Sequence, residues 1–464
     1  MPRSARKLVA VSNRGPYRQE VVRGKQRWVR AAGGLVAALD PVLAARGGVW
    51  VSAKPAKGFD TVNVEGPSVG YELAPVTIRK ADQAGFYVSV SNAVLWPLLH
   101  SFPTTMRVSE APWKSYVRAN EAFAKVTVEV SRGSDPIWIH DYHLMLAPAL
   151  VRAERPKARI GWFCHIPWCP AHLFGILPWR EAVLEGLLGA TLLGFHTDEY
   201  VHYFLECVDR FLDAKVDHGA RTVRYRGRTT RVIAAPIGIP VAALTALATE
   251  PDVVAEMERI RHSVGNRRIV LGVDRLDYTK GIPERILAFE ELLRTRRSAA
   301  SKYVLLQVMV PSRTDVRAYA ELKEEIDRMV GSLNGRYSVA GRIPVHYFFR
   351  NLNQRSLFAH YRAADVALVT PLRDGMNLVA HEYVASRAEG DGVLVLSEFA
   401  GAAKHLKEAL LVNPYDIPAV AETLERALHL PEAEAHKRMR ALRNEVRKLD
   451  VHRWAEKFIK ELES

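Results

Sequence analysis

The sequence predicts an α/β protein made of two doubly wound, Rossmann-like domains that face each other across a cleft. Two observations carry this prediction. Short, continuous apolar segments rich in β-formers alternate with amphipathic helical segments, which is typical of parallel strands covered by helices on both faces. In addition, 464 residues exceed the size at which a single hydrophobic core normally keeps growing.

The first half of the chain contains five short strand-like segments, which read KLVAVSNR, GVWVSA, PIWIHDY, RIGWFCHI and TLLGFHT. Helical segments such as LMLAPALVRAERP and PWREAVLEGLLG lie between several of them. Because the apolar run LVAV near the N-terminus is short and is followed by polar residues, it predicts the first strand and not a secretory signal.

The alternation resumes after Pro240 with the strand-like segments RRIVLGVDRL, YVLLQVMVP, VHYFFR, DVALVTPL and GVLVLSEF. The stretch Ala235–Leu244 contains Pro-Ile-Gly-Ile-Pro, which interrupts both periodicities and predicts the joint between the domains. The predicted domains are therefore 1–238 and 239–440. Residues 441–464 are predicted to form a charged helix that packs back on the first domain.

Composition and charge exclude several classes of function. With 48% hydrophobic and 25% charged residues, the chain has the composition of a soluble globular protein, and no apolar run is long enough to span a membrane. The formal net charge of +14 is mostly scattered, and no zinc-finger, RNA-binding or helix-turn-helix pattern accompanies it, so nucleic-acid binding is not expected. Cys164, Cys169 and Cys207 have no metal-type spacing and no even number for disulfides, which predicts buried thiols in a cytoplasmic protein.

A first polar junction follows a predicted strand of the second half, in VLGVDRLDYTKGIPER (Val270–Arg285). Here Arg275 and Lys280 offer a forked and a point positive charge, which together suit a diphosphate. The spacing of a Walker loop is absent. An alternative interpretation is a surface cluster in which Asp274 and Asp277 pair with the two cations.

A second polar junction is LVTPLRDGMNLVAHEYVAS (Leu368–Ser386), where an apolar strand passes through polar residues into a helix. Gly375 permits close approach of a ligand, and the N–H groups of residues 375–378 at a helix start favour an anionic or oxygen-rich group. Glu382 follows about one turn later, within reach of ligand hydroxyls. Since ligands of doubly wound sheets bind beyond the carboxyl ends of the strands, the two junctions predict one wall of a sugar or phosphate site.

Strands of the first half also end in polar or glycine-rich segments. The paired glycines of AAGGLVAAL, Gly33 and Gly34, precede a helix and could present amides to a phosphate. His140, Asp141, His143 and His165 lie at two further strand ends. Metal ligation by this cluster is one interpretation, and hydrogen bonding is favoured because a third spaced ligand set is missing. Zincin, nucleophile-elbow and dinucleotide-binding patterns are absent.

Taken in order, the motifs resemble those of the trehalose-6-phosphate synthase family: SNRGPY, AGGL, SNAVLWP, WIHDYHL, HIPW, LLGFHT, VDRLDYTKGI, VTPLRDGMNLVAHEYVA and VLSEFAGAA. The resemblance spans the chain from about Leu8 to Trp454. It implies a retaining glycosyltransferase of the GT-B type that transfers glucose from a nucleoside diphosphate glucose (UDP-, GDP- or ADP-glucose) to glucose 6-phosphate. It implies no metal ion and no other cofactor.

The resemblance also implies roles for residues of the donor site. Arg275 and Lys280 would bind the diphosphate and stabilise charge on the leaving group. Glu382 would bind the ribose hydroxyls, and Gly34 would close over the diphosphate. The donor sugar and its phosphates would be held by Asp374, Gly375, Met376, Asn377 and Leu378.

For the acceptor and the chemistry, the resemblance implies a further set of residues. His165 would contact the donor sugar near its 6-hydroxyl, and Asp141 would lie beside the reacting centre. The acceptor would be gripped by Arg14, Tyr87, Trp96, Asp141 and Arg313, in which the two arginines suit a phosphate. The residues implied in catalysis are Asp141, His165, Arg275, Lys280 and Asp374. Plain core packing is the alternative for Trp96, and for Asp141 it is a carboxylate that orients a neighbouring histidine.

In this family the leaving phosphate is usually described as helping to deprotonate the acceptor on the same face of the sugar. Asp141 as a covalent nucleophile is the less favoured variant.

Some segments depart from the family pattern. WVSA, with Ala53, replaces the usual W-x-G-W, and His381 stands where a lysine is common. The segments LHSFP and ILPWREA are similar to glucosylglycerol-phosphate synthase, which uses glycerol 3-phosphate. That activity, a pseudo-glycosyltransferase and a non-catalytic binding protein remain alternatives. The donor base is left open, as is the oligomeric state, for which a homo-oligomer is compatible with the sequence.

Overall fold

The computed structural model describes residues 7–22, 25–30, 34–54, 62–64, 70–133, 135–296, 298–312, 317–339 and 341–464. The chain divides into two compact units: unit 1 comprises Met1–Ile237 and Val451–Ser464, and unit 2 comprises Gly238–Asp450. Each unit is an α/β fold built on a mainly parallel sheet, which confirms the predicted fold class.

The strands of unit 1 are β1 Leu8–Ser12, β2 Tyr17–Val22, β3 Lys25–Arg30, β4 Gly48–Ala53, β5 Val62–Val64, β6 Tyr71–Val76, β7 Ile137–His140, β8 Ile160–Phe163, β9 Leu192–Phe195, β10 Lys215–Asp217, β11 Thr222–Tyr225 and β12 Arg228–Ala234. Its α-helices within the described ranges are Gly34–Arg46, Lys80–Gln83, Trp96–Leu99, Glu110–Val130, Ala147–Glu154, Ala171–Phe174, Arg180–Leu187, Asp198–Phe211 and Val451–Glu463. Short 3₁₀ turns span Pro103–Thr105 and Tyr142–Leu144.

The main sheet of unit 1 has its switch point at β1. Among the described residues the strand order is β10-β11-β12-β9-β8-β7-β1-β4-β6-β5, and β2 pairs only with β3. From β1 the parallel strands extend through β4 to one side and through β7 to the other. The register sets Val9 beside Val49 and Ile137, so that buried branched side chains lie in one row. The carboxyl ends of β1 and β7 therefore form the crevice in which such sheets bind ligands.

A π-helical segment, Ala84–Leu95, packs against the helix Glu110–Val130 of unit 1. Ser91 Oγ and Asn92 Nδ2 donate hydrogen bonds to carbonyls five residues earlier, those of Phe86 at 2.8 Å and Tyr87 at 2.7 Å. The wide turn is a geometry that proteins often use at functional sites. It fixes the backbone of Tyr87, one of the predicted acceptor residues.

The C-terminal helix Val451–Glu463 completes the core of unit 1. Its Trp454 Nε1 donates to the carbonyl of Ala235 at 3.1 Å, and its Phe458 ring stacks on Trp138 with centroids 4.5 Å apart. The sequence predicted one helix over 441–464, whereas the chain forms two, Glu432–Lys448 in unit 2 and Val451–Glu463 in unit 1.

The strands of unit 2 are β13 Arg268–Arg275, β14 Tyr303–Val310, β15 Val345–Phe349, β16 Val366–Val369, β17 Val393–Ser397 and β18 Leu410–Val412. Its α-helices within the described ranges are Val241–Ala248, Pro251–Val264, Ile282–Thr295, Ala299–Lys302, Arg317–Tyr337, Gln354–Ala363, Leu378–Ser386, Ile417–Leu428 and Glu432–Lys448. 3₁₀ turns span Tyr278–Lys280 and Gly401–Lys404.

The sheet of unit 2 is entirely parallel in its described part, in the order β15-β14-β13-β16-β17-β18. This is the doubly wound order with its switch point between β13 and β16. Both faces are covered: Ile269, Leu271 and Val273 belong to one hydrophobic cluster, and Val270 of the same strand belongs to the other. Continuous apolar strands are expected for a sheet buried on both sides.

None of the described helices combines the length and the apolar character needed to cross a membrane.

Candidate active site

The first polar junction of unit 2 is a tight turn between β13 and a helix. Asp277 accepts hydrogen bonds from the backbone N–H and the hydroxyl of Thr279, at 3.1 and 3.0 Å, which fixes the 3₁₀ turn. Gly281 then takes φ +62°, and an added Cβ would overlap the carbonyl oxygen of Thr370. Only glycine meets both demands at no cost. The turn carries Lys280, while Arg275 is exposed at the last position of β13.

The second polar junction follows β16. Backbone bonds from the neighbouring turn hold it: Asp374 N–H donates to the Phe399 carbonyl at 3.2 Å, and the Met376 carbonyl accepts from Ala402 at 2.9 Å. Asn377 adopts φ +69° and precedes the helix Leu378–Ser386. Asparagine tolerates this left-handed conformation better than most residues. The turn thus places a helix N-terminus at the switch point of the sheet.

The structure brings the two predicted junctions together. Lys280 Nζ lies 2.6 Å from Asp374 Oδ2, and Asn377 Nδ2 donates to the same carboxylate at 3.0 Å. The backbone N–H of Leu372 also donates to the Thr279 carbonyl at 2.8 Å. A cation, a carboxylate and an amide therefore meet beyond the ends of β13 and β16, the expected place for a ligand in such a fold.

Glu382 lies on the helix that begins at this site. Tyr361 Oη donates to its carboxylate at 2.8 Å. Burial nevertheless raises the pKa of Glu382 to about 7, because this hydrogen bond compensates only part of the lost hydration. Further hydrogen-bond donors, such as the two hydroxyls of a ribose, would stabilise the charged form of this buried carboxylate. Its neighbour His381 is fully buried, and burial lowers the pKa of His381 to about 4.

The alternative interpretation of the first junction, a surface cluster of Asp274 and Asp277 with the two cations, is wrong. Both carboxylates are buried, at 5% and 0% exposure. Asp277 accepts from Tyr319 at 3.2 Å in addition to the Thr279 bonds, and Asp274 forms a buried ion pair with Arg285. Sequence reasoning missed Arg285. The sequence gives little indication of this buried arginine, since an arginine in the first turn of a helix usually faces solvent.

In unit 1, predicted site residues follow three strands. Arg14 comes after β1, Asp141 directly after β7 and His165 shortly after β8. Because β1 and β7 flank the switch point, Arg14 and Asp141 share the ligand crevice of this sheet. Gly34 begins the helix Gly34–Arg46, and Gly33 lies outside the described residues.

Asp141 is held in an uncommon backbone conformation, with φ +74°. Its N–H donates to the Phe163 carbonyl at 2.8 Å, and its own carbonyl accepts from Trp162 Nε1 at 3.3 Å. The carboxylate accepts from the backbone N–H of His165 at 3.3 Å, and His143 Nδ1 lies 4.0 Å away. Conformations of this kind cost about 1–3 kcal/mol and persist where the surroundings over-determine them, often at functional sites.

His165 is half-buried and lies beside two buried histidines, His140 and His196. His140 Nδ1 lies 3.1 Å from His165 Nε2, and the His196 ring is 5.8 Å from that of His165. Burial lowers the pKa of His140 to about 3 and holds the pKa of His165 well below its usual value. His165 is therefore neutral near pH 7 and suits hydrogen bonding to a sugar hydroxyl. His196 and Trp454, whose ring is 6.0 Å from that of His165, were missed by the sequence analysis.

Three of the predicted acceptor residues are connected through side-chain contacts in unit 1. Arg14 Nη2 donates to Tyr87 Oη at 2.5 Å, and the Tyr87 ring stacks on His143 with centroids 5.8 Å apart. Trp96 is 4% exposed and reaches this set through the Tyr142 ring, 5.7 Å away. Arg313 lies outside the described residues. Trp96 is therefore buried beside the aromatic rings of this set, and its role towards the acceptor stays a prediction.

Within the described residues, no group of three or more histidine, cysteine, aspartate or glutamate side chains is arranged to hold a metal ion.

Comparisons with known proteins identify the family of the chain. The model of glycosyltransferase family 20 matches residues 6–464. The trehalose-6-phosphate synthase of Mycobacterium avium (strain 104) is 44% identical over 463 residues, which cover 97% of this chain and 94% of the relative.

Two solved structures share the fold over almost the whole chain. The UDP-forming alpha,alpha-trehalose-phosphate synthase of Burkholderia xenovorans in complex with glucose-6-phosphate has a TM-score of 0.91 at 34% identity, covering 99% of this chain and 100% of that one. An E. coli structure bound with UDP-2-fluoro glucose has a TM-score of 0.90 at 34% identity, covering 98% of both chains. The chain therefore belongs to glycosyltransferase family 20 and is a glycosyltransferase of the GT-B fold class.

Proposed function

We propose that this protein transfers glucose from a nucleoside diphosphate glucose to glucose 6-phosphate with retained anomeric configuration, giving trehalose 6-phosphate and a nucleoside diphosphate. The observation that carries the proposal is the meeting of Lys280, Asp374 and Asn377 at the switch point of unit 2. The relatives support it: one binds UDP-2-fluoro glucose and another glucose-6-phosphate.

On the donor side, unit 2 would bind the nucleotide sugar. Lys280 and Arg275 supply two positive charges near the end of β13, where a diphosphate would gain charge-assisted hydrogen bonds. The N–H groups at the start of the helix Leu378–Ser386 add donors for the phosphates and the sugar. Glu382, poised by Tyr361, would accept hydrogen bonds from the ribose hydroxyls.

On the acceptor side, unit 1 would grip the sugar phosphate. Arg14, exposed and hydrogen-bonded to Tyr87, suits a phosphate dianion, and the family pattern adds Arg313. Asp141 would lie beside the reacting hydroxyl, and neutral His165 would hydrogen-bond the sugar that is transferred.

The chemistry requires one bond exchange and one proton transfer. The bond between the anomeric carbon and the diphosphate oxygen breaks, and a bond to the acceptor's 1-hydroxyl oxygen forms on the same face. The hydroxyl proton passes to the departing phosphate. Arg275 and Lys280 would stabilise the charge that develops on that phosphate, so positioning and electrostatic stabilisation supply most of the acceleration.

A donor panel crossed with an acceptor panel tests the proposal. UDP-, GDP- and ADP-glucose are each incubated with glucose 6-phosphate, and release of nucleoside diphosphate is measured together with a non-reducing disaccharide phosphate. We expect one donor to give both products in equal amounts. If every donor stays intact with glucose 6-phosphate, the proposal is wrong.

A second candidate is transfer to glycerol 3-phosphate. It is favoured by Ala53 at the end of β4, where related synthases carry an aromatic residue, and by the segments LHSFP and ILPWREA. The same acceptor panel separates the two: turnover with glycerol 3-phosphate and none with glucose 6-phosphate would select this activity.

We also propose a cytoplasmic location. Cys164, Cys169 and Cys207 are buried free thiols, which fits a reducing compartment. Fractionation of cells that express the tagged chain would test it, and recovery outside the cytoplasm would refute it.

A further inference from the structure

Arg285 is a buried cation beneath the donor site of unit 2. It lies in the first turn of the helix Ile282–Thr295, and its side chain is 0% exposed. Its guanidinium forms an ion pair with Asp274 of β13 and donates to Gln307 Oε1 of β14 at 3.2 Å. It also donates to Thr370 Oγ1, just after β16, at 3.2 Å. One side chain thus connects β13, β14 and the segment that follows β16.

The same guanidinium reaches the turn that carries the proposed diphosphate-binding lysine. Arg285 Nη2 donates to the backbone carbonyl of Lys280 at 3.4 Å. The guanidinium of Arg285 also needs the space beside Gly272 of β13. A Cβ at position 272 would lie 2.6 Å from Arg285 Nη1 and closer still to Gln307 Oε1. Gly272 is therefore required by a close approach, and the space that it leaves is filled by Arg285.

Arg285 also balances the negative charge of a buried carboxylate, that of Asp274. Asp274 is 5% exposed, and its carboxylate interacts electrostatically with both Lys280 and Asp374. Without a partner, this buried negative charge would compete with a bound diphosphate for Lys280, or it would be neutralised by a proton. Arg285 balances Asp274 and leaves the ammonium of Lys280 available to an anionic ligand.

We infer that Arg285 is a positioning residue for the donor diphosphate: it touches no substrate, but it anchors the Lys280 turn and cancels the charge of Asp274. This inference rests on the proposed function, because it names the support of the same diphosphate site. The ligand group that it serves is the phosphate next to the sugar. Loss of Arg285 should therefore weaken binding of a nucleoside diphosphate more than binding of the corresponding monophosphate.

The test compares these two ligands by calorimetry on the full-length protein. Uridine diphosphate and monophosphate are used first, followed by the guanosine and adenosine pairs if uridine does not bind. In Arg285→Gln we expect diphosphate affinity to fall about 10- to 100-fold, since a charge-assisted network is lost, and monophosphate affinity to change less than about threefold. In turnover assays the donor KM should rise, whereas the KM for glucose 6-phosphate stays within about twofold.

Further variants distinguish a positioning role of Arg285 from a general loss of protein stability. Arg285→Lys, which keeps the positive charge, should recover most of the diphosphate affinity. Asp274→Asn added to Arg285→Gln should recover about threefold or more, because it removes the uncompensated carboxylate. The control is Arg387→Gln, which replaces an arginine whose side chain is 3% exposed. This side chain donates to the carbonyls of Tyr361 and Arg362, which precede β16 and lie at the other end of the sheet. It should lower stability without changing the ratio of the two affinities.

Thr370→Val keeps the inference testable if Arg285→Gln does not fold, since it removes only the acceptor of Arg285 Nε. We expect it to weaken diphosphate binding about two- to fivefold, again without an effect on the monophosphate. An unchanged affinity ratio in folded Arg285→Gln, or in Thr370→Val, would overturn the positioning role. A wild-type protein that binds no nucleoside diphosphate would instead overturn the proposed function itself.

Discussion

Lys280→Met removes one charge from the proposed diphosphate site and keeps the length of the side chain. Lys280 is suited to this perturbation because its side chain is only 10% exposed and its Nζ lies 2.6 Å from Asp374 Oδ2. Methionine fills a similar volume, so the fold of the turn should survive. Two effects follow: the diphosphate loses a donor, and Asp374 loses the cation that balances it.

The size of the effect can be worked out from these contacts. A charge-assisted hydrogen bond to a phosphate oxygen is worth about 1.5–3 kcal/mol. The unbalanced Asp374 carboxylate would lie roughly 5–6 Å from that oxygen, and at an effective dielectric constant of about 20 it repels a unit charge by about 3 kcal/mol. Because nearby Arg275 offsets part of this repulsion, we expect a total of about 3–4 kcal/mol. This corresponds to a loss of about 10²–10³-fold in kcat/KM for the donor.

The assay is the initial rate of nucleoside diphosphate release at varied donor and saturating glucose 6-phosphate. The matched control is Lys323→Met, which breaks a lysine–aspartate pair with Asp327 of 2.5 Å on the helix Arg317–Tyr337. We expect the control to keep wild-type kinetics. A folded Lys280→Met protein within about fivefold of wild type would refute the assignment of Lys280 to the diphosphate.

Three further predictions concern pH, backbone geometry and packing. Because the pKa of Glu382 is raised to about 7, the ionised fraction of its carboxyl falls about fivefold from pH 7 to pH 6. The nucleotide glucose should therefore bind more tightly as pH rises from 6 to 8, and its affinity should level off above pH 8. Gly281→Ala should cost about 1–3 kcal/mol of unfolding free energy in urea and raise the donor KM, because φ is +62° and the added Cβ would overlap the Thr370 carbonyl. Phe458→Ala should cost about 3–5 kcal/mol in the same unfolding assay, since its fully buried ring stacks on Trp138.

The controls for these three predictions differ. Glu382→Gln should remove the pH dependence of donor binding, and a Glu382→Gln protein with the wild-type profile would contradict the role of the carboxylate. The same raised pKa means that the stability of the unliganded protein falls as pH rises from about 4.5 to 7, because the folded state holds the proton over that range. Gly265→Ala is the control for Gly281→Ala, since it also has positive φ but no atom within 4 Å of the added Cβ. If Gly281→Ala and Gly265→Ala lower the unfolding free energy by the same amount, the contact with the Thr370 carbonyl is unimportant. An unfolding free energy unchanged in Phe458→Ala would contradict the packing of the C-terminal helix.

The predicted approach of the two donor junctions follows from a general property of parallel sheets. Strands that run in the same direction end at the same edge, so polar residues after β13 and β16 had to meet once the sheet order was doubly wound. The contact of Lys280 with Asp374, 94 residues apart, could be expected at this level without any knowledge of side-chain geometry.

Features that depend on long-range burial could not be predicted in this way. Arg285 sits in the helical pattern PERILAF and looks like a surface residue, because its partners Gln307 and Thr370 are 22 and 85 residues away. The π-helical turn around Tyr87 is equally hidden, since its apolar spacing resembles that of an α-helix. The break after Lys448 depends on tertiary packing, because the following helix joins the core of unit 1.

The fixed cations at the end of β13 are the centre of this account, and the affinity added by the second phosphate measures them most directly. Calorimetry should show wild-type protein binding the nucleoside diphosphate at least about 10²-fold more tightly than the monophosphate, since two charge-assisted contacts each contribute about 1.5–3 kcal/mol. In Arg275→Ala/Lys280→Ala this ratio should fall to nearly one. A double variant that is folded and keeps the wild-type ratio would contradict the account.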